Sequence, residues 1–178
     1  MSNKILGIDP GIGICGFGLI DIGASGATSA KTLDYGVVKT TVDAPLPSRL
    51  KELYDSLVEV FSQTKPDMVA VEKLFFSKNI TTGIAVAEAR GIVLLVAEQN
   101  GLPVYEYSPN AIKKCLTGYG SATKAQMQEM ARIHLGLKEK PRPDDAADAL
   151  AIAVTCGFLY KLGPDDKYKF SNTRKEKI

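Results

Sequence analysis

The amino-acid sequence predicts a single α/β domain built around a mixed β-sheet. The first forty residues contain short apolar segments separated by glycine-rich breaks, a pattern typical of an antiparallel meander. Apolar residues then recur at helical spacing, and the helical segments alternate with two more short apolar segments. The length of 178 residues and the hydrophobic content of 45% suit one compact domain with a sizeable core.

Five β-strands are predicted along the chain. The first ends at an aspartate that is followed by Pro-Gly, and the fourth is a short apolar segment that ends at Glu72. Apolar residues bounded by turn-forming residues define the other three. The predicted strands span residues 4–9, 16–22, 33–39, 68–72 and 103–107.

Helices are predicted between and after these strands. In the first of them, Leu50, Leu53, Leu57 and Phe61 recur at spacings that place them on one face. The second is apolar on nearly all sides, which is typical of a helix that is central to a core or shared with a partner. The predicted helices span residues 46–63, 81–98, 109–116, 123–135 and 144–161.

The ends of the chain and its composition narrow the class of protein. Residues 1–162 form the predicted domain, and the polar, charged residues 163–178 are expected to be a flexible tail. The apolar runs are too short for a membrane span, and the N-terminus does not resemble a signal peptide, so we expect a soluble, cytoplasmic protein. The net charge of +2 does not by itself indicate a nucleic-acid partner.

The cysteines and the single histidine do not indicate a disulfide or zinc site. Cys15, Cys115 and Cys156 are odd in number and widely spaced, so each is expected to be a small, largely buried residue. His134 has no partner at ligand spacing and is expected to pack against its neighbours or lie on a helix surface.

Four acidic residues stand in unusual positions. Asp9 and Glu72 each end an apolar strand, and Asp145 and Asp148 share one face of an alanine-rich helix. Carboxylates beside apolar segments are costly unless they are paired, hydrogen-bonded or metal-bound. Oxygen ligands favour Mg²⁺ or Mn²⁺ over zinc, and two such ions about 3.5–4 Å apart can hydrolyse a phosphodiester without a side-chain nucleophile.

Each carboxylate also has a structural explanation. Asp9 before Pro-Gly is a common turn residue, and Glu72 could be a surface charge at a strand end. Asp144 and Asp145 suit the N-cap and the first turn of a helix, where negative charge is favoured. Asp148 is the hardest to explain in this way because it lies further into an apolar helix.

Several motifs occur together in a recognisable order. They are GIDPG at 7–11, LPSRL at 46–50, VEKLFFSKN at 71–79, EARG at 88–91, GSATK at 120–124 and DDAADALAIAV at 144–154. Over about residues 3–160 the chain resembles the bacterial RuvC Holliday junction resolvases. The resemblance implies a ribonuclease H-like fold with a mixed five-stranded sheet flanked by helices.

The resemblance also implies an activity and its partners. Members of the family are homodimers that nick two opposing strands of a four-way DNA junction in recombination and repair. The implied cofactor is Mg²⁺, with Mn²⁺ as a substitute and one or two ions in each active site. The implied partners are the junction itself and the RuvA and RuvB branch-migration proteins.

Residue by residue, the resemblance assigns Asp9, Glu72, Asp145 and Asp148 as the metal-binding carboxylates, with Asp144 as an alternative to Asp145. Phe75 is the aromatic residue implied to stack on bases at the opened junction, and Phe76 is its alternative. Stacking of a base on an aromatic ring is worth about 1–3 kcal/mol. The basic residues that are expected to bind phosphate are Lys78, Lys113 and Lys124.

Three other classes of protein share some of these features. The segment GIDPGIGICGFGL resembles the first phosphate loop of actin-like and sugar-kinase-like ATPases, but 178 residues leave no room for their second lobe. A related ribonuclease H-like nuclease that acts on RNA or on other branched DNA would carry the same carboxylates. A non-catalytic nucleic-acid-binding module is disfavoured because all four acids are present.

Overall fold

The computed structural model describes residues 3–23, 30–74 and 80–161. The strands are β1 (Lys4–Asp9), β2 (Ile14–Asp21), β3 (Lys31–Lys39), β4 (Met68–Glu72) and β5 (Val104–Tyr107). The helices are α1 (Leu46–Thr64), α2 (Ile80–Gln99), α3 (Pro109–Thr117), α4 (Lys124–His134) and α5 (Asp144–Lys161). Every predicted strand and helix is therefore present.

The strands form one mixed sheet in the order β3-β2-β1-β4-β5. The meander β1-β2-β3 is antiparallel, whereas β4 pairs with β1 and β5 pairs with β4 in parallel. The predicted mixed five-stranded sheet is confirmed. Parallel pairing of β1 and β4 brings their carboxyl ends to the same edge of the sheet, which matters for the site described below.

Two predicted strand starts were too late. β2 begins at Ile14 and β3 at Lys31, each two residues before its predicted start. The added residues pair across the meander, Ile14 with Lys39 and Lys31 with Asp21. Exposed or charged residues at these ends break the apolar pattern, so pairing rather than hydropathy sets the boundary.

The sheet separates two hydrophobic cores. The first includes Leu6 and Ile8 of β1 with the buried faces of α1 and α2. The second includes Ile5 of β1 with residues of α3, α4 and α5. Successive strand residues point to opposite faces, so Gly7 and Asp9 share the face of Ile5 and point towards α5.

Helix α5 lies unusually close to the sheet because glycines face it. A Cβ atom on Gly7 would lie 2.1 Å from the carbonyl oxygen of Ala149, and one on Gly16 would lie 2.0 Å from that of Asp145. Side chains at these positions would push the helix outwards. The close approach fixes the first turns of α5 beside the end of β1.

The expectations for the cysteines and the histidine are confirmed. Cys15 and Cys156 are buried and Cys115 is half-buried, and all three are free thiols. His134 packs edge-on against Phe158, with ring centroids 4.9 Å apart. None of the helices that the structure describes is both long and apolar enough to cross a membrane. The predicted tail, residues 163–178, lies outside the described residues.

Candidate active site

Two of the predicted carboxylates stand side by side at the edge of the sheet. Asp9 ends β1 and Glu72 ends β4, and the parallel register pairs Ile8 with Val71 immediately before them. Since Ala70 belongs to the core beside α5, Glu72, two residues on, faces the same side as Asp9. The sheet therefore directs both acids towards α5.

Helix α5 brings a third acid to the same place. The carboxylate of Asp148 accepts a hydrogen bond from Gln128 Nε2 at 3.0 Å through Oδ1 and forms an ion pair with Lys124 Nζ at 2.6 Å through Oδ2. The Asp148 side chain is only 13% exposed, whereas that of Lys124 is 56% exposed. Both oxygens of this half-buried acid are thus bound by side chains of α4.

The acids are close enough to alter each other's ionisation. Burial, followed by the charges of Asp148, Glu72 and Asp145, raises the pKa of Asp9 from 3.8 to about 7, and Lys124 partly offsets this. Burial also raises the pKa of Glu72, and the charge of Asp148 raises it further. Concentrated negative charge of this kind favours protonation or the binding of a cation.

A cavity of about 240 Å³ opens between these residues. It is lined by acidic, basic and apolar side chains: Asp9, Glu72, Asp148, Lys113, Lys124, Pro109, Ile112, Met127 and Ile152. Of the sequence-predicted site residues, three carboxylates and two lysines meet here. Acids that attract a cation beside lysines that attract an anion are suited to a phosphate ester and its metal.

Asp145 stands apart from this lining. It lies in the first turn of α5 and is half-buried. Its backbone packs directly against Gly16 of β2, so it reaches the cluster from the side of that strand. Burial is the main cause that raises the pKa values of Asp9 and Cys15, and the charge of Asp145 adds to both. Asp144 is exposed. The hydrogen bond to Asp148 is the main cause that raises the pKa of Lys124, and the charge of Asp144 adds to it. Both residues belong to the first helical turn, as the structural explanation for them requires.

The donor set fits a hard divalent cation in chemistry. Carboxylate oxygens are the ligands that Mg²⁺ and Mn²⁺ prefer, and the mutual repulsion of the acids is what such an ion relieves. In their present rotamers, no three His, Cys, Asp or Glu side chains among the described residues are arranged to hold one ion together. Asp148 instead binds Lys124 and Gln128.

Two predicted DNA-binding residues, Phe75 and Lys78, lie outside the described residues. Sequence reasoning missed Gln128, which is buried and bonded to Asp148. One signal was available, because Gln128 follows Lys124 by four residues and therefore shares its helix face. A glutamine on an otherwise ordinary amphipathic helix is nevertheless usually a solvated surface residue.

Comparison with known proteins identifies the family. The family model described as crossover junction endodeoxyribonuclease RuvC matches residues 5–156. The RuvC of Brevibacillus brevis is 49% identical over 152 residues, which is 85% of this chain and 90% of that protein. The RuvC of Pseudothermotoga lettingae is 50% identical over 149 residues, 84% of this chain and 90% of that protein.

A solved structure agrees with these relatives. Thermus thermophilus RuvC in complex with a Holliday junction substrate superposes with a TM-score of 0.84 at 40% identity. The match covers 90% of this chain and 96% of that one. The predicted ribonuclease H-like fold is confirmed. The chain belongs to the RuvC family of crossover junction endodeoxyribonucleases, which are metal-dependent nucleases.

Proposed function

We propose that this protein is a structure-selective endonuclease that resolves four-way (Holliday) DNA junctions by paired symmetric nicks. The observation that carries the proposal is the cavity in which Asp9, Glu72 and Asp148 meet Lys113 and Lys124. The names of its relatives, and a related structure solved with a junction substrate, support the same substrate. Its role is in homologous recombination and DNA repair, in the cytoplasm.

The proposed metal ligands are Asp9, Glu72, Asp145 and Asp148. Mg²⁺ is the proposed ion and Mn²⁺ its substitute, because all four donors are carboxylate oxygens. These four carboxylates would hold an ion whose Lewis acidity would serve to activate a water and to stabilise the leaving oxygen in phosphodiester hydrolysis. The chain's own task is to hold these acids near one another with a single ion pair, from Lys124 to Asp148, that a substrate phosphate can replace. Burial and mutual repulsion, which raise the pKa of Asp9, provide the attraction for the cation.

The proposed phosphate-binding residues are Lys78, Lys113 and Lys124. Lys124 has a double role, because its ammonium group holds Asp148 at 2.6 Å and also lines the cavity. With a phosphate in the cavity, Lys124 would exchange its ion pair with the Asp148 carboxylate for one with that phosphate. Its exposed side chain has the freedom for that movement.

Loss of a phosphate contact should change the salt dependence of junction binding. For Lys113→Ala and for Lys124→Ala, we expect the slope of log K against log[salt] to become shallower by about 0.9 per lost contact. Binding would be measured with Ca²⁺ or chelator to prevent cleavage. Lys51→Ala is the control, since Lys51 is exposed on α1 and pairs with Asp55. A slope equal to that of this control would exclude a lysine from the DNA contact.

Phe75 is proposed to stack on bases at the opened centre of the junction. Its truncation to alanine should lower the cleavage rate by about 10-fold, since one base–aromatic stack is worth about 1–3 kcal/mol. Mn²⁺ binding and thermal stability should remain at parental levels. Phe76→Ala is the matched comparison. If Phe76→Ala slows cleavage and Phe75→Ala does not, the two assignments are reversed.

A homodimer is proposed to supply the two active sites that paired nicks require. Helix α2 supports this, because Ile84 and Leu95 are 52% and 47% exposed on a helix that also packs against α1. The two residues are three helical turns apart and so lie on one face, and an exposed apolar face is typical of an interface. RuvA and RuvB are the proposed branch-migration partners.

The substrate class is tested by a direct comparison of nucleic acids. The purified protein with Mg²⁺ should cleave a four-way junction and leave the corresponding linear duplex and an RNA–DNA hybrid intact. Chelation of the metal should stop the reaction. Preference for the hybrid would instead favour the alternative of a ribonuclease H-like nuclease on RNA, and hydrolysis of ATP would favour the actin-like alternative.

A further inference from the structure

Gln128 is a buried polar residue that touches the active-site cluster without lining its cavity. It lies on α4 and is 8% exposed. Its side-chain Nε2 donates to Asp148 Oδ1 at 3.0 Å. A buried amide that lost this acceptor would be left with an unmatched donor, which is destabilising. The contact is therefore a constraint on both side chains.

The orientation of the amide follows from the chemistry of its partner. An ionised carboxylate only accepts hydrogen bonds, so the NH₂ group of Gln128 must face Asp148. Lys124 is four residues earlier on the same helix face and binds the other oxygen. Helix α4 thus binds both carboxylate oxygens of Asp148, one through the amide of Gln128 and the other through the ammonium group of Lys124.

The two donors differ in charge and in freedom. Lys124 is charged and half-exposed, so it can leave Asp148 for another anion. Gln128 is neutral and buried, so it cannot follow a substrate phosphate. A neutral donor also orients the carboxylate without cancelling its charge, which a second lysine or an arginine would do.

We propose that Gln128 is a positioning residue that keeps the Asp148 carboxylate beside Asp9 and Glu72, so that the oxygen held by Lys124 becomes available to a metal ion when Lys124 moves to phosphate. The inference rests on the proposed function and deepens it. Of the two α4 residues that bind Asp148, Lys124 is then a mobile counter-ion and Gln128 is a fixed hydrogen-bond donor. Mutation of a residue that hydrogen-bonds to a metal ligand usually lowers metal affinity or activity by about 10–100-fold.

The test replaces the amide with an uncharged side chain of similar length. In Gln128→Met, the Mn²⁺ dissociation constant of the DNA-free protein, measured by calorimetry, should rise about 10-fold or more. Junction cleavage should show a lower kcat at limiting metal, an unchanged KM for DNA, and recovery as Mn²⁺ is raised. A purely structural defect would not be rescued by metal.

Gln126→Met is the matched control. Gln126 is two residues earlier on α4, exposed, and occupied with the capping box at Thr123. The control should lose a little helix stability and keep both metal affinity and kcat. If Gln128→Met does not fold, Gln128→Asn takes its place, since it keeps an amide that is one methylene too short to reach Asp148.

Equal Mn²⁺ affinity in the Gln128 and Gln126 variants would overturn the proposal. So would a loss of kcat in Gln128→Met that excess metal does not restore. Both outcomes are read against a parent protein that cleaves junctions. A parent that binds Mn²⁺ but leaves junctions intact would count against the proposed function, while the calorimetric comparison would still decide the role of Gln128.

Discussion

Replacing Asp9 with asparagine is expected to abolish junction cleavage while stabilising the metal-free protein. Loss of groups that merely orient metal ligands already costs about 10–100-fold, so loss of Asp9, a proposed ligand, should cost at least about 100-fold in kcat. Asparagine keeps the size of the side chain and removes its charge. Junction binding in Ca²⁺ should survive, because the lysines remain.

The stability effect follows from the raised pKa. The pKa of Asp9 is 3.8 in the unfolded chain, and burial together with the neighbouring acids raises it to about 7 in the folded protein. Between these values the folded state binds more protons, so stability falls as pH rises and the full penalty is present above about pH 7. Since a shift of one pKa unit corresponds to about 1.4 kcal/mol, the ionised Asp9 lowers the free energy of unfolding by up to about 4 kcal/mol at pH 8.

Denaturant unfolding of the chelated protein measures this effect. Asp9→Asn should be more stable than the parent at pH 8, with the difference shrinking towards pH 5. Asp55→Asn is the control, since Asp55 is an exposed acid on α1. A variant at position 9 that cleaves normally with Mg²⁺ would remove Asp9 from the site. A difference that is constant with pH would contradict the electrostatic explanation.

Gly7→Ala is expected to have the second large effect, by displacing α5. The new Cβ would lie 2.1 Å from Ala149 O and 2.7 Å from Ala153 N, both of which are backbone atoms that cannot rotate away. Overpacking of this kind costs about 1–3 kcal/mol, and occasionally more. Because α5 carries Asp145 and Asp148, metal affinity should fall together with the free energy of unfolding.

Gly91→Ala provides the comparison for Gly7→Ala. A Cβ on Gly91 meets nothing within 4 Å, and alanine is favoured over glycine inside a helix by about 1 kcal/mol. Gly91 lies on the face of α2 proposed for the dimer, seven residues after Ile84. The control should therefore be neutral or slightly stabilised when unfolding is measured at concentrations at which the protein is a monomer. If Gly7→Ala unfolded at the parental denaturant concentration and bound Mn²⁺ normally, the close approach of α5 would not be what sets the position of the acids.

The elements of the fold could be predicted because local pattern decides them. The apolar face of α1 and the short apolar run of β4 can each be recognised from a few consecutive residues of the sequence. The ends of β2 and β3 could not, since pairing of Ile14 with Lys39 is a long-range contact that hydropathy does not record. The order of strands in the sheet likewise depends on contacts between distant segments.

The site was predictable in part, for a related reason. Asp9 and Glu72 are visible as acids that end apolar strands, and the parallel register brings them together. Lys124 and Gln128 bind Asp148 from 20 or more positions away in the chain, so spacing does not predict these contacts. A single glutamine also forms no sequence pattern that would mark it as part of a site. Nor does spacing reveal that Asp148 lines the cavity while Asp145 approaches the cluster from beside it.

The most direct test of the account is to map the cuts in a four-way junction whose strands are labelled one at a time. With Mg²⁺, the parent should nick two opposing strands at symmetric positions and leave ends that a ligase reseals, as expected of a homodimer with one carboxylate site in each subunit. Asp9→Asn should give no nicks under the same conditions. Scattered cuts on all four strands, or cuts that persist in Asp9→Asn, would contradict it.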